Sequence, residues 1–405
     1  MIESPQPIEQ IELPLGFSFS SVVAGIKASG RPDLALVECS PGTQAAAVFT
    51  TNRVVAAPVE VGRASLKASG GAIRAVVVNS GNANCATGRE GLRACRQICQ
   101  QTARMLSVAA TEVFPSSTGI IGVPLPVGKI MTALPDLLSA RSATKEAAGQ
   151  FARTIMTTDT RPKLASALIR GRREAFRILG VAKGSGMIHP KLATMLVYLF
   201  TDVSATAAPL RSLLRHACDE TFNCISVDGD TSTNDTVLLM ASGKSGATLR
   251  DRAVAKSFRS ALLEVCHSLA QQIVSDGEGI QHVVRLSIDS ARDRNEAMQL
   301  ARAIAHSPLV KTAWAGADPN WGRILAACGN SGVALDPARV NIFIGDQKVC
   351  SNGQAFKFDK EKAHQHLAGR TCDIRVQVGR GRKNLCFYTT DLTAEYVRIN
   401  ADYST

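Results

Sequence analysis

Aromatic residues are scarce in this 405-residue chain, at 5%. None is interleaved within its two short basic clusters, "RGRRE" (170–174) and "GRGRK" (379–383), so the stacking platforms needed to hold single-stranded nucleic acid are missing. Long apolar runs are lacking too. A stretch such as residues 195–200 is far too short to span a bilayer, and the opening "MIESPQPIEQIELPLGFSFS" has no basic region followed by an apolar one. A cytoplasmic protein, bound to neither membrane nor nucleic acid, is the expectation. The eleven cysteines contain no Cys-x-x-Cys pair, and their odd number in a chain without an export signal points to reduced thiols. Cys95 and Cys99, four apart on an expected helix, read as small buried hydrophobes. There is no His-Glu-x-x-His, and His364-x-His366 stands in a polar helical stretch without nearby partners, so no metal is expected. Low-complexity tracts and internal repeats are also absent.

Two nucleotide signatures fail. "SGKSG" (242–246) contains Gly-Lys-Ser, but Leu238 stands where the first glycine of a phosphate loop belongs. "GSG" (184–186) lacks the third glycine of a dinucleotide fingerprint and precedes a loop and a strand, not a helix.

What is present is an apolar fraction of 45% with 20% charged residues, the balance of a globular chain long enough for one large core or two packed domains. Lysine and arginine (46) outnumber aspartate and glutamate (34), giving a net charge of +12. With nucleic acid and membrane disfavoured, this surplus suits a field that concentrates small carboxylates.

Strand and helix patterns alternate. "AVVVN" (75–79) is a buried-strand run, followed by "SGNAN" and by Leu92, Cys95, Cys99, Ala103 and Leu106 at helical spacing. Further helices are predicted by Leu210, Leu213, Leu214 and Ala217, and by Val254, Phe258, Leu262, Val265, Leu269 and Ile273. Alternation at Val284, Leu286 and Ile288 and at Ile374, Val376 and Val378, with "VNIFIG" from Val340, predicts strands. The mixed order indicates α/β or α+β layers.

Between these elements lie polar loops rich in hydroxyl, amide and glycine: "NSGNANCATG" (79–88), "PSSTGIIG" (115–122), "TTDTRPK" (157–163), "KGSGMIHPKLATM" (183–195), "VDGDTSTNDT" (227–236), "SDGEGI" (275–280), "GADPNWGRI" (316–324) and "RINADYST" (398–405). Singly, each is the composition of a turn. In this order over nearly the whole chain they closely resemble the bifunctional ornithine acetyltransferases, the glutamate N-acetyltransferases of arginine biosynthesis; "DGDTSTNDT", "DPNWGRI" and "EYVRINADYST" are the most specific strings.

The resemblance implies a layered αββα-type sandwich of mixed sheets, self-cleaved between Ala193 and Thr194 into two intertwined chains, 1–193 (α) and 194–405 (β), commonly paired as α2β2. It implies Thr194 as nucleophile, Thr118 and Gly119 as oxyanion hole, Thr160 and Lys183 in the substrate pocket, Glu278 at the amino end of the substrate, and Asn400 and Thr405 reaching in from the C-terminus. Thr157 and Thr158 compete with Thr160 for its role, and by composition alone Lys183 also fits a surface lysine and Glu278 a turn carboxylate. The implied substrates are N2-acetylornithine and glutamate in a ping-pong exchange without a cofactor, with acetyl-CoA an additional donor in some members.

The chemistry is consistent with the residues. A threonine hydroxyl needs a nearby base, and a cut before Thr194 creates one on the same residue, an α-amino group whose ordinary pKa is about 7.7–8.0. Pro190 and the glycines at 184 and 186 restrict how the preceding loop can relax. The chain departs from the family pattern at His189 and Lys191 and at Gln281 and His282, which bears on the choice of acetyl donor. Two other classes remain: an amidase or aminopeptidase using the same Thr194 but handing the acyl group to water, and a non-catalytic basic binding module.

Overall fold

Apolar side chains on alternate positions begin the chain with β1 (Phe17–Val22) and β2 (Leu34–Cys39), paired antiparallel from Phe17 against Cys39 to Val22 against Leu34. The structure, a computed structural model, describes residues 5–171, 174–189 and 195–402. β3 (Gln44–Phe49) departs to a second sheet, and α1 (Ala57–Ala68) carries proline in its first turn, where the missing N–H leaves no helical bond unmade. The valine run forms β4 (Ala75–Asn82). α2 (Gly88–Leu106) then crosses to β5 (Val113–Ile120), which lies parallel to β4 as such a crossover requires. The first sheet has the order β1-β2-β4-β5. α3 (Val127–Ser139) and α4 (Lys145–Thr154) come next, the latter capped by Thr144 Oγ1, which accepts from Ala147 N (3.2 Å).

β6 (Lys163–Arg170) and β7 (Ala175–Lys183) pair antiparallel, and β8 (Leu196–Thr201) continues the second sheet beside β7 with Leu196 opposite Lys183. α5 (Ala207–Glu220) crosses to β9 (Thr236–Ala241), parallel to β8. β8 and β9 are buried at every position, which is why "LVYLFT" and "TVLLMA" show no alternation. This sheet has the order β3-β9-β8-β7-β6. α6 (Arg252–Ser275) starts at the Asp251 cap and lies over β6 and β7.

The remainder forms a third sheet with its own helices: β10 (Val283–Ala291), α7 (Arg294–Ala305), α8 (Pro308–Ala315), α9 (Trp321–Gly329), β11 (Asn341–Ile344), β12 (Gln347–Ser351), β13 (Gln354–Ala355), α10 (Lys360–Leu367), β14 (Thr371–Gln377) and β15 (Lys383–Thr390), in the order β13-β12-β11-β14-β10-β15. α11 (Ala394–Asp402) ends the described chain.

The buried clusters define the layers. Phe17, Phe19, Val37, Val76 and Phe114 of the first sheet face Leu179, Val181, Tyr198, Phe200 and Leu238 of the second. The first sheet's other face, with Leu36, Val77 and Val113, is covered by α1, α2 and α3, and the second sheet's other face, with Ile178, Val197 and Leu239, by α5 and α6. The order is therefore helix, sheet, sheet, helix. Several aromatics pack between the sheets, in a layer about 10 Å thick: Phe19 meets Phe200 at 5.2 Å and Phe151 at 5.8 Å, both edge to face.

Two sequence expectations need correction. "PSSTGIIG" and the start of "NSGNANCATG" are not loops: residues 115–120 belong to β5 and residues 79–82 to β4. Their small polar side chains are buried at strand ends, a position that composition alone assigns to turns. The predicted helices match α2, α5 and α6, and the predicted strands match β4, β10, β11 and β14. Among the described residues no helix is long and apolar enough to cross a membrane.

Gly180 on β7 is where α6 comes closest to the sheet, because a Cβ there would stand 2.6 Å from Leu269 Cδ1 and 2.8 Å from Val265 Cγ1. Gly180→Ala is expected to cost about 1–3 kcal/mol of stability through overpacking, read as a lowered urea midpoint with the denaturant slope unchanged.

Candidate active site

At one open end of the sandwich, strand ends and loops surround a cleft of roughly 600 Å³, part of it open to solvent. β5 brings Thr118 and Gly119, β7 brings Lys183, and the loop beyond β4 brings Ala83. Ser232, Thr233 and Asn234 enter just before β9, Glu278 just after α6, and Asn400 from α11.

Gly119 admits no side chain: its φ is +134°, and a Cβ would overlap the peptide joining Gly81 to Asn82 on β4. Beside it, Thr118 Oγ1 accepts from Lys183 Nζ (3.2 Å), which leaves the hydroxyl hydrogen to be donated elsewhere. Lys183 is 4% exposed, and burial depresses its ammonium below the ordinary lysine value, with Asp159 opposing the shift. Glu278 Oε2 accepts from Asn400 Nδ2 (3.0 Å), and the carboxylate lies against Gly186, whose missing side chain makes room for it.

Behind this wall lies a buried ion cluster. Lys163 Nζ donates to Asp159 Oδ1 and to Asp276 Oδ2, both at 2.6 Å, with its side chain fully shielded from solvent. The two carboxylates hold the cleft walls through backbone groups: Asp159 accepts from Gly184 N (2.6 Å) and Thr157 N (3.1 Å), and Asp276 from Thr160 N (3.1 Å). Burial would push Asp159 up, but the ammoniums of Lys163 and Lys183 hold its carboxyl well below the usual range.

The loop beyond Lys183 is pinned by Asp228. Met187, with a left-handed φ of +56°, donates its N–H to Asp228 Oδ2 (2.5 Å), and Ile188 donates to Oδ1 (2.9 Å). Burial pushes the Asp228 carboxyl up to about 6 despite the amides of Asp230 and Met187. Past it, His189 Nδ1 lies 3.3 Å from His306 Nε2, which in turn lies 3.0 Å from Ser226 Oγ. Burial, reinforced by His189, lowers His306 to about 3.

Of the residues expected from the sequence, Thr118, Gly119, Lys183, Glu278 and Asn400 line this one cleft. Thr160 is not among the lining residues: its hydroxyl and N–H are both turned to Asp276, while Thr157 and Thr158 face the cleft. Ala193, Thr194 and Thr405, with Lys191, lie outside the described residues. The next described residue after Thr194, Met195, is buried, and its N–H donates to Asp235 Oδ1 (2.9 Å). Gln281 and His282 are not among the lining residues either. Their N–H groups go to Asp391, and the His282 ring to Gly369 O (2.8 Å). Sequence reading missed the parts played by Asp159, Lys163, Asp228 and Asp276; a lysine or aspartate at a strand or loop boundary carries no mark of burial.

Replacing Lys163 by methionine would strand two buried carboxylates. Lys163→Met is expected to cost about 3–5 kcal/mol, measured by urea unfolding. Asp228 gives a pH signature. Its raised carboxyl binds a proton more readily folded than unfolded, so stability from this group is lost as pH rises from about 4 to about 6 and regained as pH falls. Relative to Asp228→Asn, the wild type should gain roughly 2 kcal/mol between pH 7 and pH 4; a difference that does not change with pH would contradict the shift.

Comparison with known proteins gives a consistent result. A family model described as the ArgJ family matches residues 18–405. The arginine biosynthesis bifunctional protein ArgJ of Thermus thermophilus is 45% identical over 395 residues, which is 98% of this chain and 100% of that one. Its namesake from Chlorobaculum tepidum is 42% identical over 390 residues, 96% of each. Among solved structures, ArgJ of Bacillus halodurans is similar at 39% identity and a TM-score of 0.48, over 50% of this chain and 96% of that one.

Proposed function

Because the chain belongs to the ArgJ family, we propose that it moves an acetyl group from N2-acetylornithine to glutamate through an ester on Thr194, after cutting its own backbone between Ala193 and Thr194. It is an acetyltransferase of arginine biosynthesis. The supporting observation is convergence: Thr118, Gly119, Lys183, Glu278 and Asn400 line one cleft, and Leu196, two residues past Thr194, pairs with Lys183 across the second sheet.

For the cut, Thr194 Oγ attacks the Ala193 carbonyl carbon, its proton passing to the departing nitrogen as the C–N bond breaks; water then opens the ester, leaving Ala193 as a carboxylate and returning a proton to Oγ. The freed α-amino group is then a base on the nucleophile's own residue. For transfer, Oγ attacks the acetyl carbonyl of N2-acetylornithine and passes its proton to the α-amino group. The tetrahedral oxyanion is met by the Thr118 hydroxyl and the Gly119 N–H, and a donor in such a hole is worth roughly 10²- to 10³-fold in rate. Collapse breaks the C–N bond, and ornithine leaves with the proton. The glutamate amine next attacks the acetyl ester and gives N-acetylglutamate, returning a proton to Oγ. Lys183 offers a cation to the substrate carboxylate, and Glu278, with Asn400, an anion to its amino end. Thr157 and Thr158 present hydroxyls, with Thr160 behind them on Asp276, and Thr405 is assigned to substrate binding on the family resemblance alone.

The small-molecule partners are N2-acetylornithine and glutamate. The chains 1–193 and 194–405 stay together, pair as α2β2 and work in the cytoplasm. The cycle uses no cofactor, and glutamate-dependent release of free thiol from acetyl-CoA would place the chain among the family members that accept this second donor.

Intact-mass analysis of the purified protein should show two fragments meeting at 193/194. Thr194→Ala should remain one chain and lose exchange, and acetylornithine should add an acetyl group to the N-terminal end of the second fragment. Free acetate in place of N-acetylglutamate would favour the amidase reading. A fully active uncut chain would overturn both.

A further inference from the structure

Two adjacent side chains bridge the parts of the proposed reaction centre. Asn234 is 6% exposed and donates from Nδ2 to Ala83 O (2.6 Å) and to Ser117 O (2.9 Å). The first carbonyl belongs to the loop leaving β4. The second belongs to the peptide whose nitrogen is that of Thr118. Asn234 Oδ1 accepts from Thr233 Oγ1 (2.5 Å), and Asn234 N donates to Ser232 Oγ (3.0 Å). With two carbonyls on one side and a hydroxyl donor on the other, the amide plane has one satisfied orientation.

The next residue faces the other sheet. Asp235 Oδ1 accepts the N–H of Met195 (2.9 Å), while Met195 O accepts from Thr236 N (3.1 Å). The Met195 nitrogen is covalently bonded to the carbonyl carbon of residue 194, so this anchor acts one peptide bond from the nucleophile. Asn234 and Asp235 are themselves consecutive, with Cα atoms about 3.8 Å apart across a trans peptide, yet their side-chain hydrogen bonds run to different sheets. One therefore reaches the oxyanion strand and the other the residue that follows the nucleophile, from a single short piece of backbone.

We infer that Asn234 and Asp235 act together as positioning residues that set the separation between the oxyanion donors at 118 and 119 and Met195, the residue bonded to Thr194. The inference rests on the reaction proposed above. A rate that depends on this spacing is sensitive to small shifts, since a misplacement of about 1 Å in a reacting site costs on the order of 10²-fold. Both act through the backbone groups they hold, Asn234 through Ala83 O and Ser117 O and Asp235 through Met195 N.

The test monitors self-cleavage of freshly purified full-length protein by intact mass over time, and then acetyl exchange of the cut enzyme. Asn234→Asp keeps the shape but turns an acceptor toward the two carbonyls. It is expected to slow the cut about 10²-fold, and to lower kcat with the KM for glutamate nearly unchanged, the split a removed transition-state contact produces. Asp235→Ala removes the acceptor for Met195 and should slow the cut similarly, while Asp235→Asn keeps a carbonyl acceptor there and should restore it. Circular dichroism establishes that each variant is folded. If Asn234→Asp does not fold, Asn234→Ser, which retains one donor, takes its place with an intermediate rate expected. If neither folds, the Asp235 pair decides.

Folded Asn234 and Asp235→Ala variants that cleave and turn over like wild type would overturn the inference. So would Asp235→Asn failing to the same degree as Asp235→Ala, because charge, not the bond to Met195, would then be what matters. A wild-type protein that neither cuts itself nor takes up acetyl would instead overturn the proposed reaction.

Discussion

The shielded ammonium of Lys163, held between Asp159 and Asp276, is the contact on which the cleft's geometry depends. Burying three charges is unfavourable unless each finds partners, and here the partners are largely the walls of the cleft. Asp159 fixes the Gly184 amide, one residue past Lys183, and the amide of Thr157, another lining residue; Asp276 fixes Thr160 and lies two residues before Glu278. The cost of desolvation is thus offset by hydrogen bonds that also hold the lining side chains at fixed positions.

Around that cluster the sandwich performs a simple task. The first sheet brings Thr118 and Gly119 to the end of β5, and the second brings Lys183 to the end of β7. Because the two sheets pack face to face through a buried apolar layer, their ends face each other at a fixed spacing. The Lys183 bond to Thr118 crosses this gap directly, joining an electrostatic group of one sheet to a hydroxyl of the other. Membership of the ArgJ family and the grouping of Thr118, Gly119, Lys183, Glu278 and Asn400 in one cleft are the two observations behind the proposed reaction.

Much of the architecture is legible in the sequence, for physical reasons that differ by element. α2, α5 and α6 each bury one stripe, so their apolar residues recur at helical spacing. β8 and β9 are buried on both faces and read as continuous apolar runs. The strand ends at 79–82 and 115–120 look like loops in the sequence, because small hydroxyl and glycine residues are chosen there for access to a cleft and resemble turn formers. Individual site residues are legible through resemblance, not local pattern. Among three neighbouring threonines nothing in sequence separates Thr160, engaged with Asp276, from Thr157 and Thr158, which face the cleft. Lys163, in "TRPKLA", looks like a surface lysine until tertiary packing closes over it.

The strand order of the second sheet, β3-β9-β8-β7-β6, determines how a severed backbone would behave. If the connection between β7 and β8 is broken, β8 and β9 stay wedged between β3 on one flank and β7 on the other, both belonging to the opposite fragment. Parting the fragments would mean unzipping two ladders of main-chain hydrogen bonds and exposing strands that are buried at every position. Scission at that point would release a new chain terminus while leaving the sheet interlocked.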